Sequence, residues 1–544
     1  MDKHKAFLIG IDGATWEVLL PLMRAGVMPT LAKLVDEGIS TTLASTIPPD
    51  TATAWTSFQT GMNPGKHGVF DFHQYKRGEY YPSFVNSERI GTETIWDILS
   101  RNKKKIILVN IPVTYPPQPI NGCMVTGLLT PSIKSNFTYP DRLAREILDI
   151  EKDYTIITTQ ESFRNTSLDN FIEELIRTET KRTNVMRHLL GRYDWDVAMI
   201  HFQSTDPLQH AVFWYLDEKN PEYSPQNYQA LQKFYSSIDR NISALLDQIP
   251  RSALKIVLSD HGFESVRKTI YINNILITEG LLSLKKQGFF RQKLFALFRA
   301  LRKIQGRFFK QMFSFPRSIA LVAKTTLVDW TRTKAFVLTG WLYGFIYLNL
   351  KGREKGGIVA EGRTYEELRE SIAKNLSSIR DPETTNRVFR KIYKREEIYE
   401  GPHLKNAPDL IAVPEQGYEC SQSFIETSDD IFKKNILGKD HTGTHNQDGI
   451  CIFSGKDLDA SGKLAQAAII DIGPSLLYYC DCAIPPGMDG RVLRDIFSPE
   501  FRESHPLLYE DKEKAPKPAD EQDIFSDEDK KKIEKRLKDL GYMD

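Results

Sequence analysis

Short, unbroken apolar runs recur along the chain at Ala6–Ile11, Lys105–Ile111, Val197–Phe202, Lys255–Leu258, Asp409–Val413 and Gly449–Phe453. Each is short and continuous rather than alternating, so each reads as a strand buried on both faces. Between them, apolar positions take helical spacing at Met28–Glu37, Pro140–Leu148, Ser167–Leu190 and Pro225–Gln248. Strands alternating with helices predict an α/β fold whose largely parallel sheet is covered on both sides. Ligands of such sheets gather beyond the carboxyl ends of the strands.

Two regions break the alternation. From Tyr271 to about Leu327 the chain turns basic and aromatic, and from Asp329 to Ile398 strand-like pieces (AFVLTG, GFIYLNL, VFRKIYK) surround a helix at Tyr365–Leu376. Residues 271–398 therefore read as an inserted cap and small α+β subdomain, dividing a core at 1–270 from its second part at 399–505. Residues 506–544 read as a tail. A charged, proline-containing linker at Glu510–Asp523 leads to a short helix with Ser526 as its N-cap. No internal repeat is present.

Composition narrows the class. A chain of 544 residues suits one large α/β core with insertions. With 41% hydrophobic and 26% charged residues it is of soluble globular type. A net charge of +1 offers no electrostatic footprint for nucleic acid, and none is expected as a partner. Cys123, Cys420, Cys451, Cys480 and Cys482 form no CxxC pair, which fits buried structural thiols in a reducing compartment. The start, MDKHKAFLIGIDG, has too short an apolar run for a signal segment and reads as the first strand. No stretch approaches the roughly eighteen apolar residues of a membrane span. The expected location is the cytoplasm.

Polar residues of one kind follow three of the apolar runs. FLIGIDG delivers Asp12, VAMIHFQSTDPLQH delivers Asp206 and His210, KIVLSDHG delivers Asp260 and His261, and a later GTH supplies His445. Asp206 and His210 stand four apart, on one face of a helical turn. Asp260 and His261 are adjacent, so both reach one ion only if the chain turns sharply, which Gly262 would permit. Carboxylates combined with imidazoles suit zinc, manganese or iron better than magnesium or calcium, with zinc expected first and manganese second.

The nucleophile candidate is Thr51, in STIPPDTATAWTSFQTGMNPGKHG. It stands where a helix over Ala52–Thr60 would begin, and helix N-termini favour anions. A plain N-cap is the alternative reading of this hydroxyl. Asn63, Lys66 and His67 follow the helix and are candidate phosphate contacts, though a polar Pro-Gly turn explains them as well. His441 shares the HTGTH segment with His445 and is a lesser ligand candidate. The stretch 285–313 carries nine Lys/Arg and no acid, with Phe290, Leu294, Leu297, Phe298 and Leu301 on one helical face. It reads as a cap helix over an anionic substrate, or as a peripheral membrane contact that would make the protein membrane-associated.

Taken in order, Asp12, Thr51, Asp206/His210, Asp260-His261 and His445 resemble the alkaline phosphatase superfamily, in its type I phosphodiesterase/nucleotide pyrophosphatase branch of cytoplasmic phosphohydrolase/phosphomutase-like proteins. Supporting segments are PP-x-T-x-x-AWTSF-x-TG-x-NPGKHG, TDPLQH, SDHG, VDWTRTKAF, LNLKGRE, APDLIAV, GTHNQDG, DIGPSLL…IPPGMDGRVL and the terminal LGY. The resemblance implies an alkaline-phosphatase-like three-layer sandwich. It implies two divalent transition-metal ions, one held by Asp206, His210 and His445, the other by Asp12, Asp260, His261 and the Thr51 oxygen. It further implies attack by Thr51 on phosphorus, a phosphothreonine-type intermediate and its release by water. The implied substrate is a small anionic phosphate ester.

Two positions depart from the nucleotide pyrophosphatase pattern. Ala52 stands where an aromatic residue follows the nucleophile, and Phe72 stands where a phosphate-contacting Asn ends the His-Gly-x-x-Asp-Asn run. Nucleotide hydrolysis is thus not implied, while phosphoryl chemistry is. The rivals are a phosphomutase on the same site and a catalytically retired binding protein of the same fold.

Overall fold

A nine-stranded sheet forms the centre of the computed structural model, in the order Ala467–Ala468, Ile39–Ala44, Asp448–Ser454, Leu254–Leu258, Ala6–Ile11, Val197–Phe202, Ile106–Ile111, Gly122–Thr126, Thr138–Tyr139. The structure describes residues 4–75, 80, 82–157, 166–285, 327–421, 430–459, 464, 466–511, 524–540 and 542. From Leu254–Leu258 to Gly122–Thr126 the strands are parallel, whereas Asp448–Ser454 runs antiparallel to both its neighbours.

The continuous apolar runs arise because both faces of these strands are covered. In the first strand, Phe7, Ile9 and Ile11 enter one core and Ala6 and Leu8 the other. The first core is filled from helices Leu168–Arg192 and Pro225–Leu246 by residues such as Leu175, Leu189, Leu231 and Ile238. The second is filled by Trp55, Phe58, Ile95 and Leu476 from helices Thr51–Thr60, Ile95–Arg101 and Ile469–Tyr479. Three layers result, as the strand–helix alternation requires.

One expected member of the central sheet lies elsewhere. The apolar run at Asp409–Val413 forms strand Leu410–Pro414 of a separate antiparallel sheet, ordered Ala335–Val337, Gly344–Leu348, Leu410–Pro414, Phe389–Lys394. An apolar run reports burial on both faces, and this strand has it, but the run carries no information about which sheet supplies the partners. Helix Arg363–Ser378 packs on the same sheet.

Among the described residues no single helix is long and apolar enough to cross a membrane. Apart from Lys285, the basic stretch 285–313 lies outside the described residues, as does most of the proposed linker. The terminal helix spans Asp527–Leu540, and the Ser526 hydroxyl accepts from Asp529 N at 3.1 Å.

Candidate metal centre

Three adjacent parallel strands deliver the carboxylates. Asp12 follows Ala6–Ile11 directly, Asp260 follows Leu254–Leu258, and Asp206 sits in the first turn of helix Thr205–Val212 beyond Val197–Phe202. One helical turn on, His210 Nε2 is 3.2 Å from Asp206 Oδ2. A two-stranded ribbon pairing Phe263 with His445 brings in the third member. His445 Nε2 lies 2.9 Å from Asp206 Oδ2 and 2.8 Å from His210 Nε2.

A second cluster adjoins the first. His261 Nε2 is 3.4 Å from Asp12 Oδ1 and 3.2 Å from Asp260 Oδ2. Ligand atoms of Asp12, Asp260 and His261 all fall within 4.8 Å of one another, and so do those of Asp206, His261 and His445. His261 therefore joins the two clusters, its ring stacked 3.5 Å from that of His445.

Gly262 assists in a way different from the expected turn. A Cβ there would lie 2.2 Å from the Asp448 carbonyl oxygen, so the residue is small to let two backbones approach. The left-handed position is Gly13, at φ +66°, whose N–H donates to Asp260 Oδ1 at 3.1 Å.

Backbone carbonyls orient the rings. His210 Nδ1 is 2.8 Å from Gly443 O, His445 Nδ1 is 2.8 Å from Pro49 O, and His261 Nδ1 is 3.1 Å from Gly262 O. A carbonyl can only accept, so these contacts call for a proton on Nδ1 and turn Nε2 toward the carboxylates.

Thr51 opens helix Thr51–Thr60, but Asp50 caps it, with Oδ1 accepting from Ala52 N at 3.0 Å and Thr53 N at 3.2 Å. The N-cap alternative for Thr51 is thereby taken by its neighbour. Thr51 Oγ1 instead lies 3.3 Å from His261 Nε2, fully buried, where the two clusters meet.

The electrostatics of the bed ask for cations. Burial pushes the Asp12 carboxyl well above its usual range, and Asp206 adds to this; burial and then Asp12 do the same to Asp260. Burial also acts upward on Asp206, but His210 and His445 outweigh it and hold that carboxyl well below the usual range. His210 and His445 are themselves lowered, chiefly by burial, toward the neutral form that ligates metal. Among the described residues, every ion-pair partner of Asp12, Asp206 and Asp260 is a histidine. Both Asp12 oxygens and Asp260 Oδ2 are buried without an aligned hydrogen-bond donor among the described residues. Buried carboxylates left in this state, beside inward-facing imidazoles, fit a pair of divalent cations.

Other candidates are engaged elsewhere. Asn63 caps the turn Pro64–His67 through Gly65 N and donates to Asp489, while Lys66 Nζ pairs with Asp489 and donates to Gly487 O at 3.0 Å. His67 is buried against Ser57 Oγ at 2.8 Å, and burial lowers it to about 3. His441 is 3.4 Å from Glu419 Oε2, its ring 4.6 Å from that of His210.

Sequence reasoning missed three residues around the site. His201 Nε2 stands 3.0 Å from Asp12 Oδ2, and a polar residue inside the apolar run VAMIHF was its one signal. Glu179 Oε1 accepts from Gln203 N at 3.1 Å and Ser204 N at 2.8 Å, fixing the loop that leads to Asp206. Tyr542 reaches the site from the far end of the chain, its hydroxyl donating to Asp206 Oδ1.

The sequence profile of the type I phosphodiesterase / nucleotide pyrophosphatase family matches residues 6–446. No curated protein matches the chain in sequence. Among solved structures, an inactive form of murine ectonucleotide pyrophosphatase/phosphodiesterase 5 in complex with AMP is similar at a TM-score of 0.52 and 14% identity, covering 91% of this chain and 100% of that one. Phosphonoacetate hydrolase from Sinorhizobium meliloti in complex with phosphonoformate is similar at 0.54 and 15%, covering 88% and 96%. Both likenesses are likenesses of fold.

Proposed function

The chain belongs to the type I phosphodiesterase/nucleotide pyrophosphatase family, and from that premise we propose a dinuclear-metal phosphohydrolase that cleaves a phosphodiester or phosphomonoester through a covalent intermediate on Thr51. The reading is supported above all by the position of Thr51 Oγ1, 3.3 Å from the histidine that joins two buried carboxylate clusters.

Asp206, His210 and His445 would hold one ion, and Asp12, Asp260, His261 and the Thr51 oxygen the other. The mixed carboxylate and imidazole donors suit zinc first and manganese second. Bound there, the cations would polarise phosphoryl oxygens and acidify a coordinated hydroxyl. Thr51 Oγ attacks phosphorus as its hydroxyl proton is released, the bond from phosphorus to the leaving oxygen breaks, and that oxygen takes up a proton in exchange. Water then attacks the phosphoryl-Thr51 ester, the Oγ–P bond breaks, and the hydroxyl is restored. Asp50 keeps Thr51 free for this by meeting the helix N-terminal N–H groups itself. A small anionic phosphate ester is the substrate class; the AMP bound by one structural neighbour is such an ester, and the phosphonoformate bound by the other is a small phosphonate anion.

A phosphomutase remains the second reading, favoured by one observation: Thr51 and all six Asp and His residues of the site are buried. Enclosure keeps water away and would favour return of the phosphoryl group to product. The test is a screen of metal-loaded protein against phosphate mono- and diesters, including nucleotides, sugar phosphates and phospholipid headgroups. Free alcohol and phosphate (or a monoester from a diester) are expected. Isomerised product without phosphate release would establish the mutase. No turnover with zinc or manganese would overturn both.

A further inference from the structure

Tyr542 lies almost 500 residues from Thr51 in sequence, yet its hydroxyl stands 3.4 Å from Thr51 Oγ1. The residue is completely buried. Its ring stacks on Phe72 at 4.7 Å and 19°, with the Trp341 ring 5.2 Å away.

The segment that delivers it is docked. Helix Asp527–Leu540 buries Ile533, Leu537 and Leu540, Arg536 donates to the carbonyls of Thr130 and Pro131, and Tyr542 N closes the helix end on Leu537 O at 2.8 Å. Packing alone asks only for the ring. The hydroxyl has to find buried partners, and among those it finds are the candidate nucleophile and a candidate ligand. On Asp206 it takes Oδ1, leaving to His210 and His445 the Oδ2 that faces the cluster.

We propose that Tyr542 is a catalytic hydrogen-bond partner of Thr51 Oγ. At rest its one O–H goes to Asp206 Oδ1 while the phenol oxygen accepts from Thr51. The O–H turns to Thr51 Oγ once that oxygen has lost its proton, steadying charge there as it attacks phosphorus and again as water expels it. No proton need leave the tyrosine. The proposal rests on Thr51 being the nucleophile. A donor held within reach of an oxygen that gains charge only during reaction acts on kcat rather than on ground-state binding.

The test compares the full-length, metal-loaded wild type with Tyr542→Phe and Thr51→Ala, using p-nitrophenyl phosphate and bis(p-nitrophenyl) phosphate. Tyr542→Phe keeps the ring, so Tm and metal content should match wild type. Its kcat should fall by at least about 10-fold with KM within about 3-fold. Acid-quenched single turnovers should show phosphoryl-Thr51 forming correspondingly slowly, and orthovanadate should raise its Tm less than that of wild type. A kcat equal to wild type, with Thr51→Ala inactive, would overturn the Tyr542 role alone, and a higher kcat would show a plug instead. Lost metal, with kcat restored by added metal, would overturn it too, leaving only support of Asp206. Retained turnover in Thr51→Ala would remove the nucleophile reading, and this proposal with it.

Discussion

Asp50 performs the capping that Thr51 might have performed. Its Oδ1 takes the Ala52 and Thr53 N–H groups at 3.0 and 3.2 Å, and Thr51 Oγ1 is left 3.3 Å from His261 Nε2. The two adjacent residues thus divide helix initiation and chemistry between them. Asp50→Ala should cost about 1 kcal/mol of stability and should also lower kcat, since the helix start that carries Thr51 loses the carboxylate holding the Ala52 and Thr53 N–H groups. Asp50→Asn, which keeps the acceptor, should restore both. Thermal unfolding and steady-state turnover of the two variants check this.

Removing metal should destabilise the protein, because the buried Asp12, Asp206 and Asp260 then face one another with, among the described residues, only histidines as ion-pair partners. A ligand that binds only the folded state raises Tm by mass action, so zinc or manganese added to chelated protein should restore it. Asp12→Asn should reverse the pattern. It removes one buried charge, so the chelated variant should melt above chelated wild type, while the metal-induced rise shrinks and about one equivalent of metal is lost. Scanning calorimetry and metal analysis read all of these.

Glu179 and Arg182 form an ion pair with both side chains fully buried, and Glu179 also holds the Gln203 and Ser204 N–H groups. Glu179→Ala strands the guanidinium and frees the loop before Asp206. The expected cost is about 3–5 kcal/mol, with weakened metal binding at the Asp206 cluster. Urea unfolding and a metal titration measure the two effects separately.

Lys66 ties the turn after the Thr51 helix to the 487–489 loop through Asp489 and Gly487. Lys66→Met should therefore lower stability by no more than about 1 kcal/mol, as expected for a partly exposed pair, and should leave KM unchanged. A large rise in KM would make Lys66 a substrate contact after all.

What could be read from the sequence followed from burial. Strands covered on both faces left continuous apolar runs, and the Asp residues ending three of them stand side by side because those strands are neighbours. Sheet membership leaves no such trace, so the run at Asp409–Val413 reads like a central strand although it pairs in the separate antiparallel sheet. The nucleophile's environment depends on Asp50, whose capping role a spacing argument gives equally to Thr51. His201 and Glu179 act through contacts with residues distant in sequence. Tyr542 is hardest of all to read, since a lone aromatic residue close to a terminal helix ordinarily marks a docked tail. Its reach into the site depends on where that helix packs.

The central claim is that Thr51 Oγ carries the transferred phosphoryl group. Metal-loaded protein turning over an aryl phosphate, quenched in acid and analysed by peptide mass spectrometry, tests it directly. The account predicts a phosphoryl adduct on Thr51 that appears and decays with turnover and is absent, along with activity, in Thr51→Ala. Full turnover in that variant, or phosphate release from wild type with no adduct at Thr51 in single turnovers, would contradict it.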